Sequence, residues 1–205
     1  WISITEVIAK SGALSNYVSS VTDITARKAA EAEIQQLAYY DSLTKLANRR
    51  LLMDRLEHAL ANNARSGREG GLLFIDLDHF KAVNDTYGHK SGDILLQKFV
   101  ETAKRCLRFE DIIARIGGEE FAVLLPNTSL DASMLVMERL REAVAETRYE
   151  LDRKFVTQLT ISIGVTRINL AHDDFDAALV LADIALYDAK RMGRNKVVAK
   201  DADTF

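Results

Sequence analysis

Asp111-Ile-Ile-Ala-Arg-Ile-Gly117-Gly118-Glu119-Glu120-Phe121-Ala-Val-Leu-Leu125 is the stretch on which the fold is decided. Its flanks, Asp111 to Ile116 and Ala122 to Leu125, read as two short buried strands, which makes Gly117 and Gly118 the tip of a β-hairpin. Glycine suits a tip because it adopts positive φ freely and lets a bare backbone approach a ligand. Glu119 and Glu120 follow where the second strand leaves the turn. Adjacent strand residues point to opposite faces, so one carboxylate is placed to bind a metal while the other does different work.

A second acidic site lies upstream. Gly71-Leu-Leu-Phe-Ile-Asp76-Leu-Asp78 is an apolar run ending in two aspartates at i and i+2, hence on one face of a strand. Core packing does not call for carboxylates there. A hard divalent cation does, since Mg²⁺ takes oxygen ligands and is usually held by one or two carboxylates plus substrate phosphates. His79-Phe80-Lys81-Ala-Val-Asn84-Asp85 comes next and reads as a helix start whose free N–H groups suit a phosphate.

With these motifs in place, the chain closely resembles the GGDEF-domain diguanylate cyclases, in their Gly-Gly-Glu-Glu-Phe form, over residues 41 to 198. Further matching segments are Asp41-Ser-Leu-Thr-Lys-Leu-Ala-Asn48-Arg49-Arg50, Gly88-His89, Gly92-Asp93, Thr160-Ile-Ser162-Ile-Gly164-Val165 and Ala182-Asp183-Ile-Ala-Leu-Tyr187-Asp-Ala-Lys190-Arg-Met-Gly193-Arg194-Asn195. The resemblance implies an α+β fold, a ferredoxin-like palm of antiparallel sheet flanked by helices, with an N-terminal signalling helix. It implies a reaction in which two GTP molecules are joined into cyclic di-GMP with release of two pyrophosphates. Two Mg²⁺ (or Mn²⁺) ions per active site would serve it.

By position, Asp76 and Glu119 match the family's metal ligands, with the Leu77 carbonyl as a third. Glu120 is a candidate general base or auxiliary ligand. Asp78 is either an acceptor supporting the site or the N-cap of the turn after it. Asn84 and Asp93 match the guanine-selecting pair, the backbone at His79, Phe80 and Lys81 the phosphate cradle, and Gly117 and Gly118 the turn lying against substrate. Lys190 and Arg194, four apart at the end of a helix, match phosphate-binding cations. Arg108-Phe-Glu-Asp111 matches the family's product-inhibition motif, which Arg139 completes in some members. Lys45 and Ala47 stand where the family more usually has Gly and Pro. The alternative function is a catalytically silent receptor for cyclic di-GMP or GTP.

Composition is that of a soluble globular protein, 48% hydrophobic and 28% charged over 205 residues. A net charge of -3 argues against a nucleic-acid polymer as partner. The one cysteine, Cys106, cannot form an internal disulfide, which fits a reducing cytoplasm, and it reads as a buried, inert thiol. No stretch has the roughly 20 apolar residues of a membrane helix. The chain opens on Trp1 in mid-pattern, as a piece of a longer parent carrying a membrane anchor or a sensor would.

Three zones follow. Residues 1–25 alternate apolar and polar as two antiparallel strands, and their Asp23-Ile24-Thr25 exit resembles the end of a PAS sensory domain. Residues 26–40 form a helical linker with Ala30, Ile34, Leu37 and Asp41 along a short coiled-coil-like seam; it reads either as a surface helix packed on its own domain or, as the family resemblance implies, as the seam of a homodimer. Residues 41–205 are the catalytic domain, with Leu52, Leu56 and Leu60 on one face of a helix capped by Asn48.

Overall fold

A computed structural model describes residues 2–8, 12, 14–66, 69–152, 155–169 and 175–201. The chain divides into two units, Trp1–Ala38 and Tyr39–Phe205. In the first, β1 (Ile2–Ile8) and β2 (Leu14–Val21) pair antiparallel with Ile2 opposite Val21. Helix α1 (Thr25–Tyr39) follows. Asp23 caps its start, accepting the Thr25 N–H at 2.9 Å. Ile34 and Leu37 are 66% and 68% exposed, so the seam is present as an apolar stripe on the helix. Asp41, its expected fourth member, lies beyond the last helical residue.

The second unit is built on a six-stranded sheet. Its elements are β3 (Ala47–Asn48), α2 (Arg49–Ser66), β4 (Glu69–Leu77), α3 (Phe80–Tyr87), α4 (His89–Cys106), β5 (Ile112–Gly117), β6 (Glu120–Leu125), α5 (Leu130–Glu146), β7 (Arg148–Asp152), β8 (Phe155–Gln158), β9 (Ile161–Asn169), α6 (Phe175–Arg191) and β10 (Lys196–Lys200). The strand order is β10-β9-β4-β6-β5-β3. The four central strands are mutually antiparallel, and with their helical crossovers they make the ferredoxin-like plan. Both edges add a strand in parallel, β10 beside β9 and the two-residue β3 beside β5. The sheet is therefore mixed, where the sequence implied an antiparallel one.

Strand alternation builds two cores. Leu73, Ile75 and Leu77 of β4 join Phe121, Val123 and Leu125 of β6 on one face, against Leu95, Leu96 and Phe99 of α4 and Met137 and Leu140 of α5. Leu72 and Phe74 join Ala122 and Leu124 on the other, against Leu52 and Leu56 of α2 and Ala178 of α6. Asn48 Oδ1 accepts the Leu51 N–H at 3.1 Å, the expected cap of α2; the Leu60 side chain lies outside the described residues. Lys45, where the family more usually has Gly, sits at φ 57°, in the region that favours glycine. Cys106 is buried and free, and burial pushes its thiol above the ordinary value.

Gly164 of β9 sets how closely α6 lies on the sheet. A Cβ there would come within 2.2 Å of the Ala182 carbonyl oxygen and of the Leu186 nitrogen, both rigid helix backbone. Gly164→Ala must therefore push α6 away. A loss of about 1–3 kcal/mol in denaturant-measured stability is expected from such overpacking.

Candidate active site

The register of β4 on β6 sets Asp76 directly opposite Glu120, and on its other side β4 sets Asp76 opposite Ser162. Cross-strand partners share a face, so Asp76 and Glu120 share theirs. Glu119 forms the hairpin turn with Gly118, and its carbonyl accepts the Leu77 N–H at 3.3 Å. The turn is tighter than expected: Gly118 alone takes positive φ, at 50°, while Gly117 ends β5 opposite Glu120. Asp76 is buried, Glu119 half-buried and Glu120 exposed.

Burial is the largest influence on Asp76 and raises its proton affinity. Lys190, with Nζ 2.7 Å from Asp76 Oδ2, pulls the other way, and the charges of Glu119 and Glu120 push up again. The carboxyl ends above its ordinary range. The three acids thus share one electrostatic site, and one ammonium only partly neutralises it.

Asp78 is not the N-cap of the next helix. Its carboxylate accepts from Ser162 Oγ at 2.7 Å, Thr160 Oγ1 at 2.8 Å and the Asn195 backbone N–H at 3.0 Å. It is an anchor tying the end of β4 to β9 and to the turn after α6. That turn runs through Gly193, Arg194 and Asn195, all at positive φ. Arg194 therefore lies past the helix end at Arg191 rather than one turn from Lys190 on the same face, and it is exposed.

His79, at φ 58°, breaks the chain between β4 and α3 and offers no side-chain cap. The first N–H groups of α3 thus begin three residues after Asp76's neighbour Leu77, while Phe80 is buried in the core and fixes them. Gly88 separates α3 from α4. A Cβ on Gly92 would fall 1.9 Å from Asn84 Oδ1. The Asn84 side chain thus packs against Gly92 in the first turn of α4, the residue before Asp93. Gly92 was quoted in the sequence as part of a motif, and its contact gives it a physical role.

Arg115 and Asp41 were not singled out as site residues, yet they hold the hairpin. Arg115 donates from Nε and Nη2 to the Gly118 carbonyl at 3.0 and 2.8 Å, and from Nη1 to Asp41 Oδ1 at 3.1 Å. Burial opposes the Asp41 charge, but the Thr44 hydroxyl and N–H and the Arg115 guanidinium outweigh it and hold the carboxyl below its ordinary value. A lone Arg two residues before the glycine pair carries no sequence signal for this clamp. A pocket of about 310 Å³ opens beside Glu120, between Leu52 and Met53 of α2 and Leu179 and Asp183 of α6.

At the far end of β5, Asp111 Oδ2 accepts the Arg108 backbone N–H at 2.7 Å. Burial raises the Asp111 pKa above the usual range, that hydrogen bond and the nearby charges of Arg108 and Arg139 lower it, and Glu110 raises it. Arg139 Nη2 donates to the Cys106 carbonyl at 2.6 Å, at the end of α4. The three residues expected in an inhibitory site thus meet around one turn. Among the described residues, no helix is long and apolar enough to cross a membrane.

Comparison with known proteins agrees with this geometry. Diguanylate cyclase A of Treponema denticola is 37% identical over 186 residues, 89% of this chain and 50% of that protein. Diguanylate cyclase DgcP of Pseudomonas aeruginosa is 42% identical over 163 residues, 80% of this chain and 24% of that protein. The chain thus spans half or less of the length of these curated relatives. The crystal structure of the coiled coil and GGDEF domain of DgcB from Caulobacter crescentus, in complex with c-di-GMP, is similar with a TM-score of 0.80 at 29% identity, covering 86% of this chain and 93% of that one. The family model for the diguanylate cyclase GGDEF domain matches residues 38–196, more than half of the sequence, and the chain belongs to that family.

Proposed function

We propose that the chain is a diguanylate cyclase that joins two GTP molecules into cyclic di-GMP, each step an attack by a ribose 3′-OH on an α-phosphate. The observation that carries this reading is the meeting of Asp76, Glu119 and Glu120 at one end of the sheet, beside Lys190. The donor set fits Mg²⁺ or Mn²⁺. Asp76 and Glu119 offer only oxygen, and Asp76 is held ionisable beside a further acid's charge, as suits a hard cation that takes further ligands from phosphates. Asp76, Glu119 and the Leu77 carbonyl would hold the metal. When bound, a metal pair would lower the pKa of the 3′-OH and neutralise charge on the phosphates.

The chain's own residues do the rest. Glu120, exposed and opposite Asp76, is placed to take the 3′-OH proton. The backbone N–H groups at His79, Phe80 and Lys81, at the start of α3, cradle the β- and γ-phosphates, with Lys190 and Arg194 supplying cations. Asn84 and Asp93 read the guanine edge, the carboxylate accepting from N1–H and N2–H₂. One site holds one GTP, so turnover needs two protomers face to face, and the exposed Ile34–Leu37 stripe of α1 supports such a homodimer. Cyclic di-GMP binds at Arg108, Asp111 and Arg139 and inhibits non-competitively. The single cysteine and the want of a membrane-long helix among the described residues support a cytoplasmic location for this part of the protein.

Incubation with GTP and Mg²⁺, followed by chromatography, should yield cyclic di-GMP; binding without product would favour the receptor alternative. Asp76→Asn should lower turnover by about two orders of magnitude or more. The folded chain holds the Asp76 proton more tightly than the unfolded chain does, so the ionised carboxyl destabilises the fold at neutral pH, and that effect vanishes as pH falls through its raised pKa. The amide variant should therefore melt no lower than the parent at pH 7. Gly92→Ala should displace the Asn84 amide and raise KM for GTP by about tenfold, the equivalent of one or two base-edge hydrogen bonds, with kcat less affected. Arg108→Ala should relieve product inhibition while initial rates, measured with product removed, stay near the parent's.

A further inference from the structure

Phe109 is 104% exposed, more than any other large hydrophobic side chain among the described residues. Single exposed hydrophobics are ordinary on protein surfaces, but Phe109 is held in an unusual setting. It occupies the corner of the turn from Arg108 to Asp111. That turn is closed twice, by the Asp111 N–H donating to the Arg108 carbonyl at 3.2 Å and by the Arg108 N–H donating to Asp111 Oδ2 at 2.7 Å. The backbone beneath the ring is therefore fixed. The ring belongs to neither hydrophobic core, so the fold has no use for it. Two guanidinium groups, Arg108 and Arg139, are close enough to influence the Asp111 charge.

We propose that Phe109 is a stacking platform for a guanine base of cyclic di-GMP, bound over this turn. The inference rests on the product-site reading above and adds to it the residue that grips the base plane. A guanine nucleotide presents three features: a flat π-face, an edge of N–H donors and an anionic phosphate. The turn presents an exposed aromatic face, the Asp111 carboxylate as acceptor and two cations, so each demand has one partner within four consecutive residues plus Arg139. Glu110, exposed next to Asp111, repels phosphate from its own side. The phosphate therefore approaches from the Arg108 and Arg139 side and the base lies over the ring. Stacking also removes the Phe109 face from water, which the folded chain alone does not do.

The test uses the full chain and cyclic di-GMP itself, with binding measured by calorimetry and inhibition measured in the turnover assay. Phe109→Ala and Phe109→Leu should each weaken binding by roughly tenfold or more, the equivalent of one lost base–aromatic stack, and leave kcat and KM for GTP unchanged. Phe109→Trp should keep the affinity. In a Trp1→Phe background, which removes the only natural tryptophan, its fluorescence should be quenched as cyclic di-GMP binds. If Arg108→Ala abolishes binding while Phe109→Ala leaves it intact, the stacking role is overturned and the product site stands. If neither variant changes binding, or the parent chain binds no cyclic di-GMP, both the stacking role and the product-site reading fall. The side chain is wholly at the surface, so a matched denaturation midpoint should confirm that each variant folds.

Discussion

Two carboxylates directly opposite each other on neighbouring strands repel, and a sheet optimised for stability alone would not place them so. The register that sets Asp76 against Glu120 is nevertheless forced, because a slip by one residue would turn Leu73, Ile75 and Leu77 out of one core and Leu72 out of the other. Packing on both faces of β4 therefore holds the acids together against their own repulsion. Lys190 relieves part of it at 2.7 Å, while burial first, and then the charges of Glu119 and Glu120, keep the proton affinity of Asp76 raised. A site with negative charge to spare, built on a strand that cannot shift, is well prepared to receive a cation.

The supporting residues follow from the same constraint. Gly118 at the hairpin tip has no side chain with which to anchor itself, so its carbonyl is taken by Arg115, whose guanidinium is in turn fixed by Asp41. Asp78 does the equivalent work at the end of β4, gathering Thr160, Ser162 and Asn195 onto one carboxylate. Each acid that would meet substrate thus has a charged neighbour that is spent on holding the fold in place. This division explains why the stretch is so rich in charge while only part of that charge faces a ligand.

Much of this was legible in the residues. The hairpin, the β4 run, the Asn48 cap and the helices α2, α4, α5 and α6 all follow from local pattern and capping chemistry. What escaped has no local signature. The two-residue β3 and the parallel pairing of β10 with β9 exist only through their neighbours, as does the short β7–β8 hairpin. Arg194 falls off its helix because three successive residues, two of them not glycine, adopt positive φ; that is a tertiary outcome enforced where Asn195 meets Asp78 and Arg141. The Arg115 clamp joins residues 74 positions apart, which no spacing argument reaches.

The path between the two ligand sites also constrains how one can act on the other. The turn at Arg108 to Asp111 and the hairpin at Gly118 to Glu120 are the two ends of β5, a strand of six residues. At about 3.3 Å per residue they stand roughly 20 Å apart. On the proposed reading, a ligand seated on the turn is too distant to touch Asp76, Glu119 and Glu120, so it would not compete with GTP by overlap. Nor is β5 an easy element to distort, since Ile113 and Ala114 are buried and β6 is hydrogen-bonded along its length. Inhibition from that turn is then expected to act on the whole unit, by fixing how one protomer meets another. That is the step a reaction split between two half-sites depends on.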